Sequence, residues 1–537
     1  MDIDPSLQRN FEMTKRTPLL LTTLILPILL ISILLFVSGT QAGTYTICSS
    51  MCTYSSIQEA VTEGPDNMPM TIAPETFSEN VEITRSVTLV GAGPGLTIID
   101  GQMTDTVILI SGGPTVSISG VTIQNGDASL DGGGLLVESG TVSLSNSVVQ
   151  NNLALSGAGI SNRGTMVVDD VIVRNNVADE IFDDDSICDN CAGGGILNFG
   201  VMTLTNSMIH GNTANLGGGI DNAFMGSLTA TNIEVYNNSA TITANDEDAL
   251  GGGIENLNVM TLTNSTIRDN NAPFGAGIYT DGDLTVSGSN LYGNVATTRG
   301  GGIHNLYDLT VQTSNIYDNE SGTGGGGGIS SEGRYVTVTQ TAVYNNHASG
   351  FGGGILHNVL AGSNAFTITN STISGNSTSG SGGGVRNAGI ANTSLNDVTL
   401  SNNSSIVGAG QSVSVDGGTL TAQNSIINGS NLDGARTNCG GTVNSMGYNM
   451  ANDGSCGLNG TGDLSNINPL LGPLQNNGGS TLTHALLVGS PAIDSGSGCP
   501  AVDQRGVARP YGPACDRGAY EFDMDTQSVY LPLVVRP

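Results

Sequence analysis

Apolar positions along residues 131–430 recur in two registers that keep step with each other. In the first, an apolar residue is followed three places later by Asn, as in Val149/Asn152, Val173/Asn176, Ile209/Asn212, Val235/Asn238, Ile267/Asn270, Leu291/Asn294, Ile316/Asn319, Val343/Asn346, Ile373/Asn376 and Leu400/Asn403. In the second, a glycine-rich tripeptide precedes a bulky apolar residue, from Gly132-Gly133-Gly134-Leu135 through Gly217-Gly218-Gly219-Ile220 and Gly300-Gly301-Gly302-Ile303 to Gly382-Gly383-Gly384-Val385. Most neighbouring triplets lie 24 to 26 residues apart. No helical period runs inside the unit, whose apolar runs are short and rich in Val, Ile, Leu and Thr. Self-similarity at this period predicts an all-β solenoid with about 25 residues and three short strands per coil. Each strand then pairs with its equivalent in the next coil at about 4.8 Å, and the apolar columns stack inside as the core. Asn at a bend is expected to take left-handed backbone angles and to stack amide on amide along the axis. The triplets mark places where no Cβ fits or φ is positive.

The opening of the chain carries Tyr54-Ser55-Ser56-Ile57-Gln58-Glu59-Ala60-Val61, then Ile72-Ala73-Pro74, Phe77-Ser78-Glu79-Asn80-Val81 and Val87-Thr88-Leu89-Val90-Gly91-Ala92-Gly93. With the repeats that follow, these residues resemble the right-handed parallel β-helix proteins of the pectate-lyase-like superfamily, in particular large bacterial surface proteins with Gly-Gly-Gly-Ile and Asn-rich repeats. The resemblance covers about residues 54 to 430 and implies a right-handed coil. Read physically, Ser55 with Gln58 or Ser56 with Glu59 offers a capping box, and Ile57, Ala60 and Val61 give one short apolar face. A small helix plugging the open end of the solenoid is expected, because an unplugged end exposes core and strand edges.

Beyond about residue 430 the repeat stops. Pro469-Leu470-Leu471-Gly472-Pro473-Leu474, Thr483-His484-Ala485-Leu486, Gly489-Ser490-Pro491-Ala492-Ile493-Asp494, Asp503-Gln504-Arg505-Gly506 and Cys515-Asp516-Arg517-Gly518-Ala519-Tyr520-Glu521 closely resemble the choice-of-anchor Q domain of bacterial surface proteins. His484, Asp494, Asp503, Arg505, Asp516 and Glu521 read as a hydrogen-bonded cap closing the last coil rather than as a catalytic set. The layout is thus a signal peptide at 1–42, an N-terminal cap and first coils at 43–130, the repeats at 131–430, the C-terminal cap at 431–522 and a tail at 523–537. Tyr530-Leu531-Pro532-Leu533-Val534-Val535-Arg536 in the tail lacks a sortase motif.

At the other end, Lys15 and Arg16 precede an apolar run from Leu19 to Val37, and Thr40-Gln41-Ala42 offers small residues for cleavage. A secretory signal is the first reading and an uncleaved anchor the second, with Met1 or Met13 as the start. The eight cysteines fall as near neighbours: Cys48 with Cys52, Cys188 with Cys191, Cys439 with Cys456, and Cys499 with Cys515. In an oxidising compartment local disulfides are expected, although eight cysteines allow 105 connectivities. A redox or zinc role for Cys188-Asp189-Asn190-Cys191 is the alternative, and a zinc site would want a second pair nearby.

Charge narrows the partners. Against 15 basic residues stand 46 acidic ones, for a net −31 over 537 residues. This argues against nucleic acid and anionic membrane surfaces and favours cations or neutral polymers. Strand alternation then defines two outward columns. The first follows the apolar residue of each Asn register and holds Tyr236, Arg268, Tyr292, Tyr317 and Tyr344, whose rings are candidates to stack against the sugars of an extended polysaccharide. Equally, outward aromatics stack on each other and stiffen a sheet. The second column follows the glycine triplets and places Asp221, Glu255 and His304 on one face. Two carboxylates one coil apart suit acid–base chemistry on a glycoside, while the motifs of polygalacturonases and pectin methylesterases are absent. Two insertions stretch the triplet spacing to 36 and 34 residues and contain Asp183, Asp184 and Asp185 in one, Asp246 and Asp248 in the other. Their carboxylates are candidate Ca²⁺ ligands, or simply solvated acidic loops. Together these features predict a secreted or cell-surface monomer that binds or adheres to an extended carbohydrate or another cell-surface component, touching membrane only through its N-terminus. A polysaccharide lyase or glycoside hydrolase is the rival, and a passive structural rod the third possibility.

Overall fold

A computed structural model describes residues 45–66, 68–179, 191–241, 249–362, 364–407, 410–429 and 436–523. The repeats wind into a parallel β-helix, right-handed as the resemblance implies. Its strands form a broad sheet of 30 strands, a second sheet of 14 and a narrow third sheet of 11 among the described residues. Pairing is parallel and in register from coil to coil: Ile220, Asp221 and Asn222 face Ile254, Glu255 and Asn256, and Leu291 faces Ile316. Ile220, Leu204, Ile209 and their equivalents point inward and are fully buried, forming one continuous core.

Two devices, each at its own corner of the coil, recur along the repeats. The ladder Asn residues are buried, and each amide is bonded in both directions along the axis. Asn270 donates from its backbone N–H and from Nδ2 to Asn294 Oδ1, at 3.1 and 3.0 Å, and from Nδ2 to the Val235 carbonyl at 3.0 Å. Its own Oδ1 accepts the backbone N–H and Nδ2 of Asn238 at 3.0 and 3.1 Å. The left-handed residue is not the ladder Asn, as expected from sequence, but the residue before it: Asn175, Asn237, Asp269, Asp318 and Asn345 all have φ between 51° and 55°. The preceding residue makes the turn, which frees the ladder side chain to aim into the corner. In the glycine triplet the first residue has positive φ, 58° at Gly217, and the others are fixed by close approach. A Cβ on Gly218 would lie 2.4 Å from the Ser239 carbonyl oxygen.

The N-terminal end is plugged by a helix, Ile57–Glu63, with Ile57, Ala60 and Val61 buried against the first coils. Of the two capping boxes the sequence offers, Ser56 with Glu59 forms: Ser56 Oγ accepts the Glu59 N–H at 3.0 Å. The Glu59 carboxylate reaches back to Ser55, and these hydrogen bonds hold its pKa below the ordinary value. Glu79 also takes the N–H groups of Ile57 and Gln58, both at 2.9 Å.

The C-terminal segment does more than close the last coil. After the Cys439–Cys456 disulfide it runs back along the outside of the broad sheet. His484 Nε2 meets Ser374 Oγ at 2.8 Å, Gln504 Oε1 accepts from Thr372 Oγ1 at 2.6 Å, and Asn370 Nδ2 donates to the Val502 carbonyl at 2.8 Å. Arg509, buried with Asp397, bonds it at 2.9 Å and also holds the Gly518 carbonyl at 2.7 Å. Burial outweighs Arg509 and pushes Asp397 up to about 7. Breaking a buried pair leaves the partner charge uncompensated. Arg509→Leu is therefore expected to loosen the segment, with proteolysis within 470–523 at least tenfold faster while the repeats stay resistant. Unchanged cleavage would show that the segment is held without this pair.

Candidate functional sites

The outward column of the short strands in the broad sheet forms two stacked groups, which meet in register at Arg268 and Tyr292. His210 and Tyr236 lie 4.7 Å apart between ring centres, Arg268 sits 4.2 Å over the Tyr236 ring, and Tyr292, Tyr317 and Tyr344 follow at 4.8 Å each with planes within 15°. Glu234 and Asp269 hold the Arg268 guanidinium at 2.7 and 2.6 Å. Below it, Gln150 Oε1 accepts from Arg174 at 2.7 Å. Burial, aided by neighbouring Tyr and Asp groups, raises the pKa of Tyr317 and of Tyr344. Of the two readings of this column, the rings stacked on each other are what the geometry shows. Parallel strands at their fixed spacing place each ring over the next, so ring faces are occupied by each other and the outward edges carry the hydroxyls. The C-terminal segment borders the end of the stack: Ser374, the next residue of the column, is covered by His484, and Asn315, on the strand of Tyr317, donates to the Ser480 carbonyl. Tyr236, Tyr292, Tyr317 and Tyr344 remain partly exposed.

Asp221, Glu255 and His304 lie on the outer side of the second sheet, as alternation required, but that side is not open to solvent. They are 3%, 1% and 4% exposed. The first glycine of each triplet folds the preceding chain over them: a Cβ at Gly217 would lie 2.8 Å from Asp221 Cβ, and one at Gly300 2.6 Å from His304 Cβ. Residues just before the triplets, Leu216, Leu250 and Phe274, pair in a ladder across this side, and the Phe274 ring lies 5.9 Å from His304. Period-two alternation carries no information about a turn that doubles back, which is why the sequence showed these groups on a solvent face. Asp221 Oδ1, Glu255 Oε2 and His304 Nδ1 are buried without a hydrogen-bond partner. Burial pushes Asp221 up to about 7, burial and the facing Asp221 raise Glu255 well above the carboxylate range, and burial with Arg299 lowers His304 to about 4. The pair therefore favours a protonated, uncharged form. Tyr279, the member of the same column between Glu255 and His304, is buried with them.

Asp183, Asp184, Asp185, Asp246, Asp248 and Cys188 lie outside the described residues. Among the described residues no set of three His, Cys, Asp or Glu gathers as a metal site. Cys48–Cys52, Cys439–Cys456 and Cys499–Cys515 are disulfides, as expected, and Cys191 is also disulfide-bonded. In the C-terminal segment Asp503 accepts from the Arg505 and Glu521 N–H groups at 2.8 and 3.0 Å, and Arg505 packs 3.6 Å over Tyr520. These groups are bonded to one another, as a structural cluster requires. A cavity of about 330 Å³ beside Cys499 and Cys515 is lined by Arg509, whose guanidinium is already engaged.

The geometry defines an all-β parallel β-helix with a stacked aromatic column and a buried acid pair. No family model and no curated protein matches the chain. Among solved structures it is similar to the pectate lyase Pel9A, with 13% identity over 89% of this chain and 97% of that one and a TM-score of 0.27. It is also similar to the catalytic domain of a GH87 α-1,3-glucanase in complex with tetrasaccharides, with 14% identity over 76% and 68% of the two chains and a TM-score of 0.31.

Proposed function

We propose that this is an exported, surface-associated β-helix that binds an extended neutral polysaccharide along the stacked column from His210 to Tyr344. One observation carries the reading: Tyr236, Tyr292, Tyr317 and Tyr344 keep part of their surface exposed along the column, whereas its continuation at Ser374 is covered by the C-terminal segment. The Tyr hydroxyls present a row of donors and acceptors at one coil spacing, rigid before any ligand arrives, so little side-chain entropy is lost on binding. Arg268 is neutralised by Glu234 and Asp269, and the net charge of −31 repels polyanions, which favours a neutral polymer. Export accords with the disulfides and with the apolar N-terminal run, and surface attachment with the resemblance of residues 439–522 to a choice-of-anchor Q domain. The combined change of Tyr292, Tyr317 and Tyr344 to Ala is expected to weaken binding to a retained neutral polysaccharide at least tenfold without loss of β structure. Equal retention by the variant would remove the column from the site.

Polysaccharide cleavage is a second reading, favoured by the Asp221–Glu255 pair, in which one carboxyl is held protonated beside another. It requires the cover over these residues to open. Released oligosaccharide that disappears with Asp221→Asn would establish it.

A further inference from the structure

The longer strands of the broad sheet, from Val201–Thr205 to Ala365–Thr369, each turn two side chains outward in their last three residues. These are Thr203 and Thr205, Thr229 and Thr231, Thr261 and Thr263, and so on to Thr367 and Thr369, with Ser287 and Gln312 as the only departures. The residues between them, among them Leu204, Ala230, Leu262 and Val338, are fully buried, so the Thr pairs point away from the core. Register is unbroken along the whole run: Thr203 faces Thr229, which faces Thr261, then Thr285, Thr310, Thr337 and Thr367. The result is a two-column lattice with repeats of about 4.8 Å along the axis and about 6.6 Å along the strand.

Three features separate this lattice from an ordinary strand surface. Thr is a good strand former, and facing Thr pairs stabilise sheets, so some Thr is expected here. That preference does not explain why both columns exclude charge in a chain with 46 acidic and 15 basic residues. The neighbouring column of the same coils, by contrast, varies through His210, Tyr236, Arg268 and Tyr292. Secondly, among the described residues the hydroxyls of Thr229, Thr231, Thr261 and Thr263 bond no protein group, while β-branching fixes their rotamers. Thirdly, Val201 and Val259, 54% and 45% exposed, extend two of these strands with apolar groups, and the border becomes charged only at the exposed Asp283 beside Val259.

We infer that this face binds ice. A soluble ligand is selected by a concave site with a few directed groups, and a flat lattice of one repeated group has no such selectivity. It does match a surface that itself repeats. Hydroxyl and methyl groups at two fixed spacings hold a water layer in a two-dimensional repeat, as docking to a crystal face of ice requires. Because the sheet fixes the lattice on folding, ordering that layer takes only the immobilisation of waters already bridging neighbouring hydroxyls. Asp169 bounds the lattice at one end, accepting from Thr205 Oγ1 at 2.7 Å. At the other end the C-terminal segment contacts the bend residue Gln340 beside it.

Ice recrystallisation and thermal hysteresis, measured on the full chain with Thr261→Lys and Val295→Lys, test this. Val295 lies on the third sheet, away from the lattice, so the two variants add the same charge in different places. Wild type and Val295→Lys are expected to hold ice crystals small at the same protein concentration, and Thr261→Lys to need at least ten times more. Thr229→Lys, at an exposed position one coil away, repeats the comparison if Thr261→Lys does not fold by circular dichroism. Absence of both effects in the wild type would overturn the inference, and so would equal activity of the lattice and third-sheet variants.

Discussion

Asn270→Ala is expected to lower the free energy of unfolding of the coils around it by about 3–4 kcal/mol, read as a fall in the urea midpoint and in amide protection from Val235 to Asn294. The size follows from what the substitution leaves behind. Two donors of Asn238, its backbone N–H and its Nδ2, lose their shared acceptor, and the Val235 carbonyl loses its donor, all inside the solenoid. Each buried group left unpaired costs roughly 1–3 kcal/mol, and the small cavity adds to it. Asn270→Asp should be no milder, because it keeps Oδ1 but sets a carboxylate against Asn294 Oδ1 where water cannot reach. Solenoid coils depend chiefly on their neighbours, so the loss spreads along the axis as weakened coupling between two halves rather than as local fraying. A loss below about 1 kcal/mol would mean that water replaces the amide and that the ladder is not what aligns the coils.

The second large effect is pH-dependent. Asp221 is displaced from 3.8 to about 7 and Glu255 is displaced in the same direction, both by burial. In the unfolded chain they titrate near 4, so the folded chain holds more protons between about pH 4 and pH 7. Their contribution to stability is therefore fully present below about pH 4 and is lost as pH rises through about 7. For Asp221 alone the displacement corresponds to about 4 kcal/mol at pH 8 relative to a neutral isostere. The double variant Asp221→Asn/Glu255→Gln should thus match the parent at pH 4 and exceed it at pH 8 by about that amount or more. Comparing variant with parent cancels the contributions of Asp397 and Asp516, which burial also pushes up to about 7. Equal stability of the two proteins at pH 8 would show that the pair is solvated and ionised there.

Much of the fold was legible because a solenoid repeats its instructions. The two registers placed the strands and the inward columns, the capping residues and the apolar face of Ile57, Ala60 and Val61 placed the N-terminal helix, and alternation placed the aromatic column on the outside. Three things were not legible, each for a physical reason. The turn residue before each ladder Asn varies among Asn, Asp and Gly, since all tolerate positive φ, so its role was hidden behind the invariant Asn beside it. The burial of Asp221, Glu255 and His304 depends on the first triplet glycine folding the chain over them, a long-range consequence of one dihedral. Docking of Arg509 on Asp397 and of His484 on Ser374 joins residues more than a hundred positions apart with no shared period. The Thr lattice was present in the sequence throughout, but it looks like ordinary strand composition until the register aligns its columns.

The polysaccharide reading stands or falls on where a bound polymer touches the protein. Oxidative side-chain footprinting of the chain with and without a retained neutral polysaccharide locates that contact directly. Protection should fall on Tyr292, Tyr317 and Tyr344 and leave Tyr335 and Tyr511 unchanged, which are 58% and 48% exposed on other surfaces. Protection at Tyr335 or Tyr511 with none in the column would contradict it.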